Sequence, residues 1–211
     1  MENFMDFVSK GGPIIVIIMV VFLIGLFIFF EKFFYLIRIR TNLKTLRRRA
    51  ITLATQGDLS VLKQRFARNS DPFSRVVVQF VDRLKAGERM DAEYLDMLYN
   101  DNVTRLSAGM RLLGTATAVS PLLGFLGTTT GMVKIFMKIR EVGGLREQAQ
   151  LAGGISEALY TTITGLISAI TLTILSNILW EMMERYENEA REAFHYVAKT
   201  TLDSLKKGAR V

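Results

Sequence analysis

Eighteen consecutive residues near the start of the chain, Pro13 to Phe30 (PIIVIIMVVFLIGLFIFF), carry no charge and almost no polarity. Such a run leaves the backbone little choice. In hydrocarbon every N–H and C=O must be paired within the segment, so the run crosses as a helix. A secretory signal has a shorter apolar core of about 7 to 15 residues and a small-residue cleavage site. This run is longer and ends Phe29-Phe30-Glu31-Lys32, so it is expected to be retained as a span.

Two further blocks share the apolar character. Leu112 to Met137 reads LLGTATAVSPLLGFLGTTTGMVKIFM, and Glu157 to Asn177 reads EALYTTITGLISAITLTILSN, closed by Trp180, an interfacial residue type. The expected fold is all-α: an integral membrane protein with three transmembrane helices, the last two long and extended into the cytoplasm. The expected segments are a periplasmic leader (1–12), span one (13–34), a cytoplasmic helical region (35–107) and span two (108–137). A periplasmic link (138–153), span three (154–180) and a cytoplasmic C-terminal helix (181–211) complete the chain. Lys and Arg support this orientation, with 12 on the inner flanks (31–50, 92–111, 181–200) and 4 on the outer ones (1–12, 138–153).

The formal charge of +7 is accounted for by that positive-inside bias, with contact to anionic lipid headgroups as an addition, and not by nucleic acid. The absence of cysteine excludes disulfides and thiolate chemistry. His195 is the single histidine, which argues against a metal centre. No catalytic constellation or phosphate-binding loop stands out, so neither an enzyme nor a cofactor is expected.

Between the first two blocks the sequence carries helix start signals. Asp58 precedes LSVLKQRFAR and Asp71-Pro72 precedes FSRVVVQFVDRL, placing Asp at an N-cap, and Asp91 opens AEYLDMLY. Gly87 reads as a stop after Lys85. From Asp91 the helical spacing of Leu95, Leu98, Val103, Leu106 and Met110 predicts one unbroken helix into the second block. The third is expected to continue past Trp180 to Gly208.

The third block is rich in hydroxyls. At about 100° per residue, Glu157, Thr161, Thr164, Ser168 and Thr171 share one face, while Thr162, Thr173 and Asn177 lie on another, beside Gly165. In the second block Thr117, Pro121, Gly124 and Thr128 share a face. Gly124, Gly127 and Gly131 permit close helix approach, and Pro121 should kink or soften the helix. For any one hydroxyl, packing is the simpler account, since an interhelical bond contributes only about 0.6 kcal/mol on average. The whole set together with Glu157 favours a pore or proton path. Three spans cannot enclose a channel, so an oligomeric bundle around a central pore is expected.

Two stretches, SPLLGFLGTTTGM (Ser120–Met132) and GGISEALYTTITGLISAITLTILSN, resemble the signatures of the MotA/TolQ/ExbB proton channel family, in the family's order. Three spans favour the ExbB/TolQ branch. The resemblance implies pore threonines at Thr128 and Thr162 and a functional glutamate at Glu157. Thr171 stands where the family has proline, implying a straighter third helix. It further implies a homopentamer in the bacterial inner membrane, holding a single-span ExbD- or TolR-like subunit in its pore. That motor would use the proton motive force to drive a TonB-like protein, for outer-membrane transport. A TolQ-like role with a TolA-like partner, in envelope integrity and division, is the alternative. A non-conducting scaffold is the alternative from another class.

Overall fold

The computed structural model describes residues 12–103, 109–142 and 148–208, which form six helices and, among the described residues, no strand. They are α1 (Gly12–Gln56), α2 (Leu59–Phe66), α3 (Pro72–Lys85), α4 (Ala92–Val103), α5 (Met110–Val142) and α6 (Gln148–Gly208). Three stretches are long and apolar enough to cross a membrane: Gly12–Gln56, Met110–Met137 and Ala152–Lys207. The chain is an all-helical membrane protein. It divides into two compact units, and α1 and α6 each contribute to both.

The apolar unit comprises the described residues up to Glu31 together with Gly109–Leu179. On α5 the buried positions Leu113, Ala116, Ser120, Gly124, Gly127, Gly131 and Ile135 recur every three or four residues, which makes one stripe along the helix. On α6 the corresponding stripe is Ala158, Thr161, Gly165, Ser168, Leu172, Ser176 and Leu179. From α1, Ile15, Ile18 and Ile28 are buried, and Gly25 abuts the Leu172 side chain. The outward faces are largely apolar as well. Phe27 is 71% exposed and Phe125 and Leu122 are each 66% exposed, a surface suited to lipid or to further helices and not to water.

The second unit comprises the described residues of Lys32–Ala108 and Trp180–Val211. Here the pattern is that of a water-soluble bundle. Leu36, Ile39, Leu43, Leu46, Ala50 and Ala54 of α1 form a single buried stripe. They share a core with Phe66, Phe73, Val76, Val77, Phe80, Tyr99, Phe194 and Val197, each large side chain stabilising the unit by about 1.5–3 kcal/mol. Phe80 and Tyr99 both contact the Phe194 ring, edge-on and stacked respectively, at 5.8 and 6.2 Å between centroids.

Local chemistry accounts for the short helices. Asp58 accepts from the Ser60 and Val61 amides at 2.9 and 3.1 Å, Asp71 from the Ser74 amide at 2.9 Å, and Asp91 from the Tyr94 amide at 2.9 Å. Pro72 follows its cap at the first position of α3, where its missing N–H costs nothing. One expectation fails. The helix opened by Asp91 does not run unbroken into the second apolar block: α4 ends at Val103, and Gly109 adopts φ +91° immediately before α5. That left-handed conformation ends a right-handed helix, and glycine adopts it without steric cost. Leu106, which the periodicity assigned to that helix, lies outside the described residues. By contrast α6 is continuous for 61 residues, through Trp180 to Gly208.

Candidate functional site

The close approach of α5 and α6 is made by residues that lack bulk. A Cβ built on Gly165 would lie 2.6 Å from the Ser120 carbonyl oxygen and 3.0 Å from the Gly124 Cα. One on Gly124 would lie 3.1 Å from both the Thr161 carbonyl oxygen and the Thr162 Cα. Further along, Gly127 faces the Thr161 side chain, Gly131 faces Ala158, and Gly154 faces Ile135. The two backbones are therefore in near contact for roughly three turns, as small-residue seams allow. Pro121 lies within α5 beside this contact. It has no N–H to give the Thr117 carbonyl, and in the same turns the Thr117 and Ser120 hydroxyls donate to the Leu113 and Ala116 carbonyls of their own helix, at 2.9 and 2.7 Å.

Close backbones bring two threonines together. The Thr128 and Thr162 hydroxyls share a hydrogen bond across the seam. Thr162 also donates to the Gly124 carbonyl at 3.0 Å, and Thr128 reaches the Ala158 carbonyl at 3.1 Å. The pair holds two protons and, besides its own oxygens, faces two interhelical carbonyls. One proton arrangement has Thr128 donating to Thr162, which donates to Gly124. In the other, Thr162 donates to Thr128, which donates to Ala158. Both residues are half-exposed, so the pair also faces outward from the seam.

The other hydroxyls behave differently. Thr161 is buried in the seam and donates to Ala158 at 2.7 Å. Ser168 is buried one stripe position further along. Thr164, Thr171 and Thr173 each bond back to the carbonyl four residues earlier, at 2.7–2.8 Å, as threonines on apolar helices do. Asn177 is exposed. The polar face drawn from Glu157 to Thr171 is thus divided, because Thr161 and Ser168 fall on the ridge that α5 occupies and Thr164 and Thr171 on its flank.

Glu157 does not join the threonine pair. Its Oε1 lies 4.0 Å from Lys134 Nζ, and a Cβ on Gly12 would lie 2.5 Å from the same oxygen. Lys134 stands inside the second apolar block, yet the periodicity gave it no role. A lone cation in such a run was the available signal. Among the described residues no group of three or more His, Cys, Asp or Glu side chains could hold a metal ion. His195, in the second unit, pairs with Asp96 at 3.1 Å.

Residues 68–192, more than half of the chain, match the model of the MotA/TolQ/ExbB proton channel family. The chain belongs to this family. The family match contains the whole α5–α6 seam and the threonine pair. Over 77 residues the chain is 42% identical to the putative biopolymer transport protein ExbB-like 1 of Synechocystis sp., covering 36% of this chain and 30% of that one. It is 25% identical over 139 residues to biopolymer transport protein exbB1 of Vibrio cholerae, covering 66% and 61%. It is 31% identical over 124 residues to biopolymer transport protein ExbB of Xanthomonas campestris, covering 51% and 49%. The chain thus spans between about a third and three fifths of the length of these relatives.

Proposed function

We propose that the chain is an ExbB-like ring subunit of a proton channel in the bacterial inner membrane, with Thr128 and Thr162 on the proton path. The observation that carries this reading is the hydroxyl pair bridging the two helices at the edge of the α5–α6 seam, in helices whose outward faces are largely apolar. Threonine does not titrate near neutral pH. The pair would act by accepting from and donating to water or a carboxylate, since its two protons can be redistributed among four oxygens without breaking the seam. The titrating group would come from a single-span partner of the ExbD or TolR type, inside a pore formed by several copies, five by family likeness. The exposed faces of α1 and α5 support association with lipid and neighbouring copies. A membrane potential supplies about 2.3 kcal/mol per charge per 100 mV, and a TonB-like protein would carry the work to outer-membrane transport. In this arrangement the N-terminus is periplasmic and the helical extension of α6 cytoplasmic.

Valine has the shape of threonine without its hydroxyl, so Thr162→Val and Thr128→Val test the path with the packing retained. Each is expected to abolish energised uptake while the assembled complex is recovered in native amount. Uptake at the native rate in both variants would rule out the pore assignment.

A further inference from the structure

The seam between α5 and α6 has two edges, and each carries polar contacts between the helices. Relative to the buried stripe on α5, Thr128 is rotated about 60° one way and Lys134 about 60° the other. Relative to the stripe on α6, Thr162 and Glu157 are rotated about 70° in opposite senses. The observed contacts follow this geometry: Thr128 with Thr162 on one edge, Lys134 with Glu157 on the other. Glu157 therefore faces away from the hydroxyl pair. It points to the start of α1, where Gly12 at φ +66° leaves room for its carboxylate.

Glu157 is the sole acidic residue within 12–30, 112–137 and 152–179, and Lys134 the sole basic one. A charge within a span is costly unless it is paired, and these two are the only pair those stretches can form. The carboxylate also faces the N-terminal end of α1, the positive end of that helix dipole. Lys134 is six residues past Thr128, and Glu157 is five before Thr162. Along the helices, the ion pair is about 7–9 Å from the threonines.

Resting on the proton-path reading, we propose that Lys134 is a positioning residue that acts through Glu157. Together they form a clamp that fixes the register of α5 on α6 and docks the start of α1. The clamp holds Thr128 against Thr162 from the opposite edge of the seam. Glu157 in this account is a counter-ion and not a carrier on the proton path.

The test uses the full assembly purified from its native membrane and reconstituted in lipid vesicles, with potential-driven proton entry read by an interior pH dye. Lys134→Met is expected to lower flux by about tenfold, in line with the cost of misplacing a positioned group. Lys134→Arg should retain it within about twofold, because the cation is preserved. Lys134→Met combined with Glu157→Gln should be no worse than the more impaired single variant, because both remove one contact. The pH profile of the flux that remains in Glu157→Gln should keep its native midpoint, as a clamp does not exchange the transported proton. Complete loss in Glu157→Gln beside native flux in Lys134→Met would make Glu157 a carrier and overturn the clamp. So would strictly multiplicative losses, or a Lys134→Arg as impaired as Lys134→Met. Melting of the same variants gives a second reading independent of conduction: Lys134→Met should lower it and Lys134→Arg restore it. Native flux in Thr162→Val would refute the proton path alone, and native melting in Lys134→Met the clamp alone.

Discussion

Gly165→Ala introduces one methyl group at the point where the two membrane helices are closest. Its Cβ would lie 2.6 Å from the Ser120 carbonyl oxygen, 3.0 Å from the Gly124 Cα and 3.2 Å from the Gly124 nitrogen. All three are backbone atoms of α5, so no side chain can rotate away. Ordinary contact begins at about 3.5 Å, and the helices must separate locally by somewhat under ~1 Å. Overpacking of this kind costs about 1–3 kcal/mol, while the better helix propensity of alanine returns up to about 1 kcal/mol. The separation also lengthens the Thr128–Thr162 contact, which spans the same seam. Gly114→Ala is the control: a Cβ there meets nothing within 4 Å, and the change should be neutral or stabilise by about 0.5–1 kcal/mol. Melting of the purified complex in detergent should rank Gly165→Ala below the parent and Gly114→Ala at or above it. A Gly165→Ala protein that melts together with Gly114→Ala would refute the reasoning that the seam has no spare room.

Two further outcomes concern the polar unit. Burial pushes the Glu187 carboxyl above the usual carboxylate range, Arg191 opposing and Glu184 adding to the rise. A raised carboxyl favours the protonated form in the fold, so its contribution is present at low pH and lost as pH rises through the raised value. Relative to the parent, Glu187→Gln should gain melting temperature from about pH 4 to pH 7, and parallel curves would contradict this. Tyr99→Phe removes the hydroxyl that donates to the Glu187 carbonyl at 2.6 Å and keeps the ring stacked on Phe194. A loss of about 1 kcal/mol in denaturant unfolding is expected, and a loss above about 3 kcal/mol would mean that the ring, too, had moved.

What was legible in the sequence was mostly local. Asp58, Asp71 and Asp91 act as caps through amides two or three residues away, and Pro72 reports on its own φ, so no tertiary knowledge was needed. The apolar runs were legible because their length alone matches a membrane. The threonines were only half legible. Thr161 and Thr162 are adjacent and chemically identical, and their fates differ because α5 lies over one and beside the other. A helical wheel fixes angles between residues but not the direction of the neighbour, which is why the face from Glu157 to Thr171 divides in the structure. The break at Gly109 was masked by apolar spacing that continues across it. Lys134 went unread because its partner is 23 residues away on another helix, a distance that periodicity does not span.

If the Thr128 and Thr162 hydroxyls line the proton path, removing either one stops the current. The most direct measurement is potential-driven proton flux into vesicles containing the assembled complex, with Thr128→Val, Thr162→Val and Thr129→Val compared. Thr129 is the internal control, since it is exposed and donates only to Leu126 of its own helix, at 2.9 Å. Native flux is expected in Thr129→Val and loss of flux in each of the other two. Equal flux in all three variants would contradict it.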